Sequence, residues 1–243
     1  WQMQRLAWKE ALIARVEARA KAPPVSLVEL LADAKQDKGG IDADALEFRR
    51  VNIAGRFLND DEFHVWNPGK RGPAWRVITP LELSRAAEDG TQRYPLQTVL
   101  IIRGTVPAGR KAARARAGGN PTEAVAFVGR VRAGHVGAFS NPESTAKNEW
   151  YELDLDGMRK AVARTLVNES ASGTAEEAVK GVAPFFVEAE TPTGGGDGPQ
   201  PGLGNVNLSN RHLEYALTWY GLALTLLGVF AVYAWPRVRM RRD

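Results

Sequence analysis

Cysteine is absent from the 243 residues, which excludes disulfides, thiolate nucleophiles and thiolate metal sites and is compatible with an oxidising compartment. Histidine is nearly as scarce: His64, His135 and His212 are the three. Charge of one sign is lacking as well, since Lys+Arg 32 against Asp+Glu 28 gives +4. Arg237, Arg239, Arg241 and Arg242 beside Asp243 supply most of that excess, and the remainder, near +1, has no nucleic-acid footprint. Enzyme signatures are missing too, with no G-x-S-x-G, H-E-x-x-H or Cys–His arrangement. Long apolar runs are absent with one exception.

The exception is 216–235, where every residue is apolar, aromatic, glycine or threonine. About twenty residues at 1.5 Å rise cover the roughly 30 Å hydrocarbon core of a bilayer. Leu217, Tyr220, Leu222, Leu224, Leu226, Leu227, Val229, Phe230 and Val232 point in all directions rather than along one stripe. The run therefore predicts a C-terminal transmembrane helix. Tyr215, Trp219 and Tyr220 at one end and Tyr233 and Trp235 at the other suit the headgroup level, and the arginines after Pro236 are of the kind retained in the cytoplasm. This orientation makes everything before His212 extracytoplasmic: periplasmic in a bacterial plasma membrane, or in the intermembrane space of a mitochondrion. A first spanning helix, making the protein multi-pass, is expected upstream of Trp1.

Residues 2–20 set Leu6, Trp8, Leu12, Ile13 and Val16 among Lys and Arg, an amphipathic helix that would continue the upstream one. Ser26 with Glu29 forms a capping box before Leu27, Val28, Leu30 and Leu31, and 36–44 reads as a loop. From Arg49 the period shifts towards two: Val51 and Ile53, Phe63 and Val65, Trp75 and Val77, Val99 and Ile101, Val125 and Phe127, Phe185 and Val187. One helix interrupts over 154–167, marked by Leu155, Met158, Val162 and Leu166. Hairpin-like spacing without regular strand–helix alternation predicts an α+β fold, an antiparallel sheet or partial barrel with a few helices. The domain plan is a helix over 1–20, the extracytoplasmic domain over 21–209, the spanning helix with its interfacial first turn over 210–235 and a basic tail over 236–243. The Arg/Lys/Ala/Gly run at 108–119 and the Gly/Pro-rich 191–204 read as exposed loops without a packed core.

Gly104 to Gly109 has the glycine spacing of a phosphate loop, but Arg110 and Lys111 stand where Lys and Ser or Thr are needed. No dinucleotide register occurs in 194–204. Asp154-Leu-Asp156-Gly lacks the later ligands of a calcium loop and reads as a helix start, where the dipole favours acidic residues. His64 alternates with Phe63 and Val65, and His135 sits between glycines; both read as structural or surface groups. His212 differs by position, because Tyr215, Ala216 and Trp219 follow at three, four and seven on one helical face. An imidazole above flat aromatic groups is either an iron ligand for an apolar macrocycle or an interfacial anchor.

The block Asn210-Arg-His212-Leu-Glu-Tyr215-Ala-Leu-Thr218-Trp219-Tyr220-Gly221 resembles the second spanning helix of the Surfeit-locus family of cytochrome oxidase assembly factors. Trp1-Gln2 with Arg5, Trp8 and Lys9, Thr79-Pro80, Tyr94 to Pro107 with Arg103-Gly104, and Asn141-Pro142-Glu143 leading to Trp150-Tyr151 and Asp154 also resemble family landmarks, in order. Ile102 departs from the pattern, standing where the family often has Asn. The resemblance implies a non-enzymatic, two-helix membrane protein that assists assembly of a haem–copper oxidase, taking haem a from the haem a synthase to the catalytic subunit. By that resemblance His212 is the haem-ligating candidate, with Tyr215, Trp219 and Tyr220 lining the site; Arg5 and Arg211 are added here as propionate partners, because guanidinium pairs well with carboxylate. The alternative is a scaffold that stabilises the immature oxidase subunit without touching haem.

Overall fold

A computed structural model describes residues 2–33, 41–69, 72–84, 96–134, 148–170, 174–202 and 212–239; His135 and the 141–143 motif lie outside these. The chain forms two compact units, Trp1–Ala18 with Asn205–Asp243, and Arg19–Gly204.

Unit Arg19–Gly204 carries the sheet. After α1 (Gln2–Lys21) come β1 (Val25–Ser26), α2 (Leu27–Asp33), α3 (Ala43–Leu46), β2 (Arg50–Phe57), β3 (Phe63–Gly69), β4 (Gly72–Leu83), β5 (Thr98–Pro107), β6 (Val125–Arg132), β7 (Glu149–Trp150), α4 (Leu155–Ser170), α5 (Ala175–Lys180) and β8 (Val182–Ala189). Short 3-10 turns stand at Asn59–Asp61, Ala108–Arg110 and Ala113–Gly119. In β2 the period of two is explicit: Val51, Ile53 and Phe57 are buried while Asn52, Ala54 and Arg56 are exposed. Such inward residues, with Leu81, Val99, Ile101, Val131, Phe185 and Val187, form one apolar core, and Leu27, Leu30 and Leu31 of α2 join it.

The strand order is β1-β2-β6-β8-β5-β4-β3-β7, and β2 also pairs with β4. Strands β2, β6, β8, β5 and β4 thus close into a five-strand barrel. The expected partial barrel is there, but the expected antiparallel sheet is not: β1–β2, β3–β7 and β5–β8 are parallel, so the sheet is mixed. The reason lies in the connection to β8, which carries α4 and α5 and re-enters between β5 and β6. Parallel neighbours need such a helical crossover, whereas a tight turn supports only antiparallel ones.

Helix α4 starts where expected. Asp154 Oδ1 accepts from the Gly157 amide at 2.9 Å, filling one of the donors left open at a helix start. Leu155, Met158 and Val162 then bury against Ile78, Leu100, Ile102 and Phe186 on the barrel's outer wall, each contributing about 1.5–3 kcal/mol. At α2 the Glu29 amide reaches Ser26 Oγ at 3.5 Å. The loop expected over 36–44 is interrupted at its end, where Asp42 accepts from the amides of Asp44 and Ala45 and opens α3. β1, β7 and α5 are too short to show a period in the sequence.

Unit Trp1–Ala18 with Asn205–Asp243 contains α6 (His212–Arg239), whose 28 residues include the apolar run. Its described side chains are open to the surroundings on every side: Leu217 is 64%, Leu224 70%, Phe230 65% and Val232 76% exposed. Among the described residues no helix is long and apolar enough to cross a membrane; the described apolar side chains of α6 run over 217–233 and resume at Trp235.

Candidate functional site

His212, Tyr215, Trp219 and Tyr220 all fall on α6, with His212 opening the helix. Spacings of three and seven place 212, 215 and 219 on one face, with 220 at its edge. Trp219 and Tyr220 are 63% and 59% exposed, two flat aromatic surfaces near one helix end. The side chains of His212 and Tyr215 lie outside the described residues, as does Arg211 entirely. Arg5 lies on α1, its side chain also outside, in the same compact unit as α6. Among the described residues no group of three or more His, Cys, Asp or Glu side chains could hold a metal ion. The donor set on this face is one imidazole position and several aromatic ones, which fits a macrocycle bound by packing with a single axial ligand.

Unit Arg19–Gly204 holds a second constellation, which sequence reasoning missed. Arg103 ends the apolar run of β5, following Val99 and Ile101 at spacings of two, and its guanidinium lies 4.5 Å from the Phe57 ring centroid at the end of the barrel interior. Its Nε donates to Thr193 Oγ1 at 2.9 Å, and its Nη atoms donate to Asn120 Oδ1 and to the Gly119 carbonyl. Arg116 turns inward where Ala113–Gly119 breaks, at φ −145° and ψ 39°. It donates to Asn120 Oδ1 at 2.8 Å, to the carbonyls of Arg110 and Lys111 at 3.2 Å, and to Glu62 Oε1. Glu62 also meets His64 Nε2 at 2.8 Å, Arg103 Nη1 at 3.8 Å and the Thr79 hydroxyl at 3.4 Å. Both arginine side chains are fully buried and Glu62 is 4% exposed.

Burial is the largest influence on the Glu62 carboxyl and pushes it up; the hydrogen bonds and charges of His64 and Arg116 outweigh it and hold the group below the usual carboxylate range. Burial also brings the Arg103 guanidinium down to about 10, opposed by Glu62 and helped by Arg116. Two buried cations thus share one buried anion, and their other hydrogen bonds run to the Thr193 hydroxyl, the Asn120 amide oxygen and backbone carbonyls. His64 Nδ1, also buried, has no hydrogen-bond partner among the described residues. The Thr79 and Thr193 hydroxyls are engaged, and no described side chain in the cluster is placed as a nucleophile. The arrangement is a latch that ties 108–120 and 193–200 over the barrel end.

This refines two expectations. Both 108–119 and the described part of 191–204 are largely exposed, as expected, but the first inserts Arg116 and Gly119 into the interior and the second buries Thr193, Gly198 and Pro199. Glycine makes the approach feasible: a Cβ on Gly119 would overlap Gly198, and one on Gly104, at φ +135°, would overlap the Gln200 carbonyl. The glycine that resembled a phosphate loop is there because Thr105 and Gln200 exchange backbone hydrogen bonds of 2.8 and 3.0 Å.

A family model described as SURF1 family matches residues 1–224. The chain belongs to the SURF1 family. Among its relatives, Surfeit locus protein 1 of Mus musculus is 29% identical over 249 residues, 100% of this chain and 71% of the mouse protein. The protein of that name from Rattus norvegicus is 30% identical with the same coverage. The Homo sapiens one is 29% identical over 231 residues, 92% of this chain and 68% of its own length. The SURF1 match spans His212, Tyr215, Trp219 and Tyr220 as well as the latch of Glu62, Arg103 and Arg116. One signal could have disclosed that latch: a charged residue closing an apolar strand, as Arg103 does, must find partners if buried.

Proposed function

We propose that this SURF1-family protein is an assembly factor for a haem–copper cytochrome c oxidase that carries haem a from the haem a synthase to the oxidase catalytic subunit. The observation that supports it is the end of α6, where a histidine position and exposed Trp219 and Tyr220 share a helix whose run 216–235 carries no charged residue. Haem a is cargo here. His212 would ligate the iron, Tyr215, Trp219 and Tyr220 would pack on the ring, and Arg5 and Arg211 would pair with its propionates. One modest ligand with apolar packing suits a carrier, because the acceptor then takes the haem by higher affinity. The task needs no covalent chemistry by the protein.

In this reading α6 crosses the bilayer, supported by the unbroken apolar sequence of 216–235 and the exposure of its described side chains. The arginines after Pro236 keep the tail in the cytoplasm, so the barrel works in the periplasm of a bacterium or, in a mitochondrion, in the intermembrane space. The full chain, purified from a host that makes haem a, is expected to show a haem a spectrum that His212→Ala abolishes. Absence of haem from the unaltered protein, with oxidase subunits still captured by the His212→Ala form, would overturn the carrier reading in favour of a scaffold.

A further inference from the structure

Two arginine–carboxylate nodes stand on the outer face of the barrel, one hydrogen-bonded and one not, though Arg130 Nε in the first is buried without a partner among the described residues. In the hydrogen-bonded node Glu190 lies between two guanidiniums: Arg50 donates through Nε at 2.9 Å and Nη2 at 2.7 Å, and Arg130 through Nη2 at 3.2 Å. The hydrogen bond from Arg50, foremost among these influences, holds the Glu190 carboxyl below its ordinary range. The second node uses Glu188, one register away along β8. Its nearest cation is Arg132 Nη1 at 3.7 Å, within ion-pair range but too long for a hydrogen bond. Arg76 on β4 is half-buried and senses the same carboxylate, yet no described residue accepts a hydrogen bond from it. Burial is the main influence on the Arg76 guanidinium and lowers it; Glu188 opposes this and Arg132 adds to it.

A second, independent observation adjoins Arg132. Phe48 adopts φ 66°, a left-handed conformation rare for a bulky residue. Its amide bonds the Val131 carbonyl at 2.9 Å, while the neighbouring Arg49 and Val131 amides bond the Leu46 and Arg49 carbonyls. These bonds hold the strained backbone and set the Phe48 ring 5.2 Å from the Arg132 guanidinium, an aromatic wall beside a cation whose donors are not filled by Glu188.

The geometry points to Arg76 and Arg132 as the docking point for a carboxylate side chain from an acidic segment of a partner protein, a position equivalent to that of Glu190 in the neighbouring node. Charge selects this occupant. Among the described residues, Arg76 and Arg132 against Glu188 leave one uncompensated positive charge, which a single carboxylate balances and a phosphate dianion overshoots. Planar guanidiniums also match the two oxygens of a carboxylate.

The test uses the full chain and a fluorescein-labelled hexaglutamate peptide, followed by anisotropy at low salt. Saturable binding is expected, weakened at least tenfold by Arg76→Gln or Arg132→Gln and unchanged by Arg56→Gln, which removes the same charge from an exposed position on β2. Equal weakening in all three variants, or no binding by the unaltered chain, overturns the assignment. So does displacement of the peptide by phosphate at lower concentration than by acetate. A thermal melt reads the same difference without any ligand: Arg130→Met is expected to lower the midpoint and Arg76→Met to leave it level or raise it. Equal lowering by both would show that Arg76 already has a partner.

Discussion

Inside the barrel Val51, Ile53, Ile101, Phe185 and Val187 are at most 3% exposed and belong to one apolar cluster; at the barrel's end Glu62, Arg103 and Arg116 are also buried, and polar atoms, their own and those of Asn120, Thr193 and nearby carbonyls, surround them. The apolar region is held by area removed from water, so its losses are local and scale with the atoms removed. The charged end is held by mutual compensation. Each member was taken out of water at a cost that only its partners offset, so removing one leaves the others stranded. Equal burial therefore conceals unequal fragility.

Substitutions of opposite kinds can break this contrast. The largest loss is expected for Glu62→Gln, nearly isosteric, which leaves two buried guanidiniums without an anion; about 3–5 kcal/mol should be lost in urea unfolding. The same group sets a pH dependence. Its carboxyl is held below the ordinary 4.5, so its contribution is complete above that value and is lost as pH falls below it through the lower folded value. Stability measured from pH 6 downwards should show this loss in the unaltered chain and lack it in Glu62→Gln. Next comes Gly104→Ala, expected to cost about 1–3 kcal/mol, because it combines φ +135° with overlap on the Gln200 carbonyl; the melting temperature would report it. Ile101→Val, one methylene from the apolar core, should cost only about 1 kcal/mol. If chemical denaturation gave it the same cost as Glu62→Gln, the distinction between the two regions would fail. Smallest is Thr174→Ala, which removes the hydroxyl that accepts from the Glu177 amide at 3.3 Å; about 0.5 kcal/mol is expected at this exposed cap, visible as a small shift in denaturation midpoint.

The same contrast divides what the sequence discloses from what it hides. Alternation in 51–57, 63–65 and 125–127 reveals strands because a pleated, half-buried surface imposes a period of two on neighbouring residues. The start of α4 is legible because Asp154 and Gly157 are three residues apart. Glu62 and Arg116 are separated by 54 positions, and no local period records such a meeting. Nothing in residue type distinguishes Arg116 from Arg110 or Arg114 in the same basic run; only the backbone kink at Arg116 does. Parallel pairing of β5 with β8 is hidden for a related reason, since an apolar strand carries no mark of its neighbour's direction. Of the aromatic face on α6, the register at 212, 215 and 219 is legible from spacing alone, and the structure adds the exposure of Trp219 and Tyr220.

Insertion of β8 between β5 and β6 bears on how the protein is made. The strand that closes the barrel is the last of its strands to leave the ribosome. Until it arrives, β5 and β6 each present an unpaired row of amides and carbonyls, the kind of edge that recruits other chains. Synthesis order and closure order coincide in this fold, and a stop before Val182 would leave an open sheet prone to aggregation in place of a smaller barrel.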